Sequence, residues 1–481
     1  MPRRLSILAL SIALFALDAQ AVLPREVGRA FLDAGITLDH VGIVVQDTSK
    51  PAPLFAYDAY RSRSPASVMK LVTTFAALEL LGPDYRWKTE AYLGGPLVDG
   101  ELHGDLMLKG YGDPKITVEQ WQSFIGNLRA KGLATIDGDL VLDRSLFALP
   151  RYDPAAFDRE PSKPYNVGPD ALLVNFKALK LTLAPDATGS GVSVRTDPPL
   201  AAVSLGAPPP VSNDDCAEGR THVTPAIDDR GDRAAIAFTG AYPVSCGERD
   251  WWLAMLDHPH YVQAMFETYF RAAGGRIGDG LKERRVPPGA TPFATLESPP
   301  LGEIVRDVNK MSNNVMARQI FLTLALASTP PPATPAKAID AVRRWLKARK
   351  LAMPGLVLEN GSGLSRRERN TPIGLNRLLL AADASGVREE FERSLAVAAI
   401  DGTVERRFRS GAVAGQALLK TGSLEGVRAL AGYVLEPNGR RFTVVAIVND
   451  RNAARAVPAL DYLVQWVYRN GATWDPAQQR H

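Results

Sequence analysis

The segment from Ala417 to Asp450 constrains the fold more than any other part of the chain. It reads "ALLKTGSLEGVRALAGYVLEP", then Asn438-Gly439, then "RRFTVVAIVND". Asn-Gly is the pair that suits a tight hairpin turn, because both central positions take positive φ there. The pattern therefore predicts strand, strand, tight turn, strand. An amphipathic helix over roughly Val457 to Tyr468 follows, so this end of the chain reads as an antiparallel sheet flanked by helices.

Two more short strands are expected at Val41–Gln46 and Leu54–Tyr57, and they lead directly into "SPASVMKLVTT". That stretch opens a helix burying Leu71, Phe75 and Leu78 and ending at Gly82-Pro83. From about Lys88 to about residue 250 the texture changes to short β-like pieces broken by Gly and Asp, as in "AYLGGPLVDGELHGDLMLKGYGDP". The proline-rich stretch at 286–301 reads as a boundary. Helical spacing returns with Ile304, Val305 and Val308, then Val315, Met316 and Ile320, while "STPPPATPAK" (328–337) reads as a loop. No internal repeat is visible.

At 481 residues the chain exceeds one compact domain, and two or three are expected. Its formal charge of +4 is small and its basic residues form no run, which argues against nucleic acid as a partner. Arg3 and Arg4 precede an apolar run from Leu5 to Leu17, and Ala19-Gln20-Ala21 fits the small-x-small cleavage rule. Residues 1–21 thus read as a signal peptide, a retained interfacial anchor being the alternative. Cys216 and Cys246 fit that destination as one disulfide, against two free buried thiols. His258-Pro259-His260 lacks a third ligand and no metal is expected. Trp251 and Trp252 read as core residues, with glycan binding the alternative, and "YGDP" (111–114) as a turn.

Ser67 and Lys70 sit one turn apart on one helix face. A serine hydroxyl is a poor nucleophile until a base takes its proton. A lysine that is desolvated or placed beside another cation loses its own proton and can serve. Alone, the pair is a weak signal that reads first as an N-cap serine with a solvated lysine. Two further sites change this: Ser312-Asn313-Asn314 between predicted helices, and Lys420-Thr421-Gly422-Ser423 on a predicted strand. Ser-x-x-Lys, a Ser-x-Asn element and Lys-Thr-Gly, in that order, mark serine β-lactamases and penicillin-binding proteins.

With these motifs the whole mature chain resembles the S13-type D-alanyl-D-alanine carboxypeptidase/endopeptidases, the class C low-molecular-mass penicillin-binding proteins. The 245 residues between Ser67 and Ser312 are the most specific point of likeness, along with "KGYGDP" (109–114), "GDLVLDRSLF" (138–147), "YNVGPDALLVNF" (165–176), "NGSGLSRRERNTP" (360–372) and "DGTVERRF" (401–408). Ser423 stands where many relatives have threonine, and Glu359-Asn360 where an aspartate is common.

The resemblance implies an α/β (α+β) fold: a β-lactamase/penicillin-binding-protein transpeptidase-like catalytic domain with inserted β-rich accessory domains. The catalytic domain is expected over 22–90 and 286–481 around a five-stranded antiparallel sheet, accessory domain II over 91–165 and 248–285, and domain III over 166–247. Ser67 would be the acylated nucleophile, Lys70 its base, and Ser312 and Asn314 a proton relay that also holds substrate, with Asn313 a helix-start residue. Lys420 would add positive potential. Thr421, Gly422 and Ser423 would form the substrate strand, with the Thr421 and Ser423 hydroxyls on a terminal carboxylate and the Ser67 and Ser423 N–H groups as oxyanion hole. Gly361-Ser362-Gly363 either neighbours the site or is an ordinary tight loop.

The implied substrates are peptidoglycan stem peptides and cross-links in a Gram-negative-type periplasm, with β-lactams as acylating mimics and no cofactor. A β-lactamase or serine esterase, and a non-catalytic β-lactam-binding sensor or scaffold of cell-wall enzymes, are the alternative readings.

Overall fold

A computed structural model describes residues 23–216 and 221–475; the expected signal peptide, 1–21, lies outside them. The C-terminal strands form as Ala417–Leu424, Val427–Leu435 and Arg441–Asn449, each antiparallel to the next. They centre a sheet in the order 55–57, 41–47, 441–449, 427–435, 417–424, 396–397. It has six strands rather than the expected five, because Ala396-Val397 adds a two-residue edge to Leu418 and Leu419.

The tight turn falls elsewhere than expected. Leu424 pairs with Val427 across Glu425-Gly426, where Gly426 takes φ 71°. Asn438-Gly439 instead sits in a longer loop, since the pairing stops at Leu435 and Arg441 and the Asn438 side chain accepts from the Arg440 N–H. An Asn that caps its own loop this way competes with the two-residue turn.

Helices cover both faces of this sheet. On one side Arg25–Asp33 and Val457–Asn470 close a core around Phe31, Val444, Leu463 and Trp466. On the other, the helix Lys70–Leu81 is buried from Lys70 through Leu78 between helices 301–310, 314–326 and 335–348. A helix buried all round over two turns must be central, and this one fixes the site's floor.

The chain between these halves builds separate sheets. Leu281–Glu283, Leu140–Asp143, Leu106–Gly110, Lys88–Leu93 and Ala294–Glu297 make one of five strands. Junctions at 90 and 286 would cut this sheet, since Ala294–Glu297 lies against Lys88–Leu93. The proline-rich stretch thus holds a strand before Pro300 caps the Leu301–Lys310 helix. Likewise Arg249–Leu253 pairs with Leu179–Pro185, so a boundary at 247/248 falls one strand early. The region also carries helices that its Gly- and Asp-rich flanks concealed. Val118–Ala130 opens with a complete Thr117/Gln120 capping box, and His258–Ala272 absorbs His258-Pro259-His260 into its first turn behind Asp257. Trp252 is 57% exposed on its edge strand, correcting the core reading.

Accessory residues grip the two helices that flank Ser312. Lys115 pairs with Asp307, and the buried Gln319 amide exchanges hydrogen bonds with the Asp170 backbone at 2.9 and 2.7 Å. Cys216 and Cys246 are joined in the inner module across 30 residues. Replacing both by serine should lower that module's unfolding free energy by about 3 kcal/mol through the freed loop. Denaturant unfolding read by limited proteolysis checks this, and an unshifted midpoint contradicts it.

Candidate active site

The Ser67 turn is more tightly wound than a regular helix start. Ala66 takes φ 46°, and residues Ala66–Met69 form a 3-10 turn before the α-helix begins at Lys70. The tighter turn is held from three sides. Asn449 brackets Ser64, accepting its N–H at 2.8 Å and donating to its carbonyl at 3.0 Å. A Cβ on Gly422 would lie 2.6 Å from the Pro65 oxygen and 3.2 Å from the Ser67 nitrogen, and one on Gly363 would lie 1.9 Å from the Ala66 oxygen. Both glycines are needed for close backbone approach, and Gly363 also takes φ 81°.

Lys70 is wholly buried. Its Nζ lies 2.9 Å from Ser67 Oγ, 2.6 Å from Asn314 Oδ1 and 2.5 Å from the Ser362 carbonyl. Burial first, then the positive charges of Lys420 and Arg318, hold its pKa well below the ordinary lysine value, against an opposing pull from Glu368. Lys420, also buried, sits 2.9 Å from Ser312 Oγ and 3.0 Å from the Thr421 carbonyl, and burial pushes it down to about 7. Ser312 itself takes φ 58°, a left-handed conformation that costs free energy in a non-glycine residue.

Ser67, Lys70, Ser312, Asn314 and Lys420 thus converge as two hydroxyl–amine pairs. Asn313 caps the 314–326 helix, accepting the Met316 N–H at 3.0 Å. Thr421 Oγ1 lies 2.7 Å from Thr403 Oγ1 at the open end of the strand, where Ser423 is exposed. The 361–363 loop belongs to the site through Ser362. His258 and the disulfide stand in other modules, and among the described residues no cluster of three or more His, Cys, Asp or Glu could hold a metal.

Sequence reasoning missed Glu368, Arg318 and Thr403. The buried Glu368 carboxylate accepts the N–H groups of Glu359, Asn360 and Gly361 on one oxygen and that of Gly363 on the other. It thereby fixes the loop that offers Ser362 to Lys70. Its only signal was position, since in "RRER" it looks like part of a solvated charge run. Beside this loop a cavity of about 460 Å³ opens, lined in part by Tyr152, Phe157, Phe321 and Arg366.

A buried amine stores instability. With its folded pKa near 7 against 10.5, the penalty from Lys420 is complete below about pH 7 and vanishes as pH rises past the unfolded value. Lys420→Met should therefore stabilise the fold by up to roughly 4 kcal/mol near neutrality, with the gain fading towards pH 10. Chemical denaturation at both pH values checks it, and an equal or absent gain contradicts it.

Known proteins resemble this chain in both sequence and fold. A D-alanyl-D-alanine carboxypeptidase of Actinomadura sp. (strain R39) is 30% identical over 86% of this chain and 78% of its own. The D-alanyl-D-alanine carboxypeptidase DacB of Haemophilus influenzae is 22% identical over 93% and 94%. The crystal structure of penicillin binding protein 4 (dacB) from H. influenzae superposes with a TM-score of 0.78 at 22% identity, covering 92% of this chain and all of that one. That protein has also been solved complexed with a β-lactam. The model of the D-Ala-D-Ala carboxypeptidase 3 (S13) family matches residues 24–469, and the chain belongs to that family of peptidases.

Proposed function

We propose that the protein is an exported serine DD-peptidase that cleaves D-alanyl-D-alanine termini and D-alanyl-diamino-acid cross-links of peptidoglycan through an acyl-enzyme on Ser67. The observation that carries this is the set of partners around Lys70. A neutral amine has two N–H bonds and one lone pair. Asn314 Oδ1 and the Ser362 carbonyl can only accept, so they engage the two N–H bonds. The lone pair is left facing Ser67 Oγ at 2.9 Å, the position a general base must occupy.

In the reaction Ser67 Oγ attacks the carbonyl carbon of the penultimate D-alanine while its proton passes to Lys70. The negative charge that develops on the carbonyl oxygen is met by the N–H groups of Ser67 and Ser423. Preorganised donors of that kind are worth roughly 3 kcal/mol each. The Ser312–Lys420 pair, with 2.9 Å between Oγ and Nζ, delivers the proton that the departing amine requires. Thr421 and Ser423 bind the terminal carboxylate of the substrate, with Thr403 fixing the Thr421 rotamer. The proton Lys70 took from Ser67 replaces the one the Ser312–Lys420 pair gave to the amine, which leaves Lys70 neutral; water then attacks the ester, its proton passing to Lys70 and from there to the released Ser67 Oγ.

When free D-alanine leaves, the reaction is that of a carboxypeptidase, and when the side-chain amine of a diamino acid leaves, that of an endopeptidase. A β-lactam acylates Ser67 by the same attack but its leaving amine stays tethered. The N-terminal Arg3/Arg4 and apolar run support export to the periplasm, and among the described residues no helix is long and apolar enough to cross a membrane.

Incubation with cross-linked and uncross-linked pentapeptide muropeptides, read by mass spectrometry, tests the proposal. Loss of D-alanine and conversion of dimers to monomers are expected, both absent with Ser67→Ala. No product from either substrate, with β-lactam acylation intact, would shift the reading to a binding-only sensor.

A further inference from the structure

Arg318 lies one helical turn beyond Asn314, the residue that contacts Lys70 Nζ. It is 3% exposed, yet no carboxylate stands within ion-pair distance of it among the described residues. Its Nη1 donates to the Val167 carbonyl at 2.6 Å and the Tyr165 carbonyl at 3.4 Å, and its Nε has no acceptor. The guanidinium also lies 5.6 Å from the Tyr152 ring centroid. Carbonyls and a ring face satisfy its geometry without neutralising its charge, and a buried unneutralised charge is costly. A purely packing role would be filled more cheaply by methionine or leucine.

We propose that Arg318 is a positioning residue of the reaction, its buried guanidinium supplying the permanent positive charge that disfavours an ammonium on Lys70. The charged groups facing Lys70 are three: Lys420 from the 417–424 strand, Arg318 from the 314–326 helix and Glu368 from the 361–368 loop. Glu368 is engaged by four backbone N–H groups. Lys420 titrates near neutrality, so its charge varies with pH and with the proton it exchanges through Ser312. An arginine keeps its proton throughout. Arg318 itself is faced by Tyr152, a neutral phenol that hydrogen-bonds to it, and by Glu359 and Glu368, neither of which lies within ion-pair distance of it. The base therefore stays neutral through the part of the cycle in which Lys420 is uncharged.

The inference rests on Lys70 being the base. The test follows the second-order rate of Ser67 acylation by a fluorescent penicillin from about pH 5 to pH 10 for the wild type, Arg318→Met, Arg318→Gln, Arg318→Lys and Lys70→Ala. Loss of the charge in the Met and Gln variants should move the acid limb upward by roughly one pH unit or more, a tenfold loss on the limb, with the alkaline plateau recovered. Arg318→Lys should restore the wild-type midpoint. A lowered plateau with the limb unmoved, an unchanged profile, or a displaced limb in Arg318→Lys overturns the inference. If the Met variant does not fold, the Gln variant, which keeps hydrogen-bond donors, decides. Lys70→Ala acylating at the wild-type rate would sink the base reading itself. An inactive Lys70→Ala beside an unmoved limb would sink only the role of Arg318.

Discussion

The buried, uncharged-partner environment of the Lys70 amine is the constraint on which the rest of the site depends. Its three hydrogen-bond partners are a hydroxyl, an amide oxygen and a backbone carbonyl, none of which stabilises an ammonium as a carboxylate would. Holding an amine there costs free energy, and the cost is met by apolar packing around the Lys70–Leu81 helix, whose own Phe75 and neighbours Ile320, Phe321 and Leu375 are nearly dry. Sites that need a perturbed group are commonly destabilised in this way. The two glycine notches, Gly422 and Gly363, serve the same end by letting strand and loop close onto the Ser67 turn more tightly than any side chain would allow.

The long insertion is more than an appendage. Its residues touch both helices that carry the Ser312 element, through Lys115 and Asp307 on one side and through Asp170 and Gln319 on the other. It also supplies the Val167 and Tyr165 carbonyls that fix Arg318. Ser312 is held at φ 58° between these two anchored helices, a conformation that persists only where the surroundings over-determine it.

Much of this was legible where chemistry is compressed into short strings. Ser67–Lys70, Ser312–Asn314 and Lys420–Ser423 could be read because each needs particular residue types at fixed spacing. The sheet strands could be read from β-branched runs, and the helix end from Gly82. What escaped was context-dependent. Glu368 hides among arginines because nothing local says that one charge of four points inward. Arg318 is the one charged residue in a mostly apolar helix, and only burial without a carboxylate partner marks it. The Val118–Ala130 helix carried its own signal in Thr117, Gln120 and the spacing of Trp121, Phe124, Ile125 and Leu128, overridden by the Gly- and Asp-rich texture around it. The domain junctions were misplaced because strands 88–93 and 294–297, some 200 residues apart in the chain, pair with one another, and single-sequence patterns carry no record of partners.

The chemistry of the site turns on Ser67 being the residue acylated. Peptide mapping by mass spectrometry after brief exposure of the protein to penicillin reads this directly. A single acyl adduct is expected, on the peptide that contains Ser67. An adduct on Ser312, or on any residue outside the Ala66–Met69 turn, would contradict that assignment.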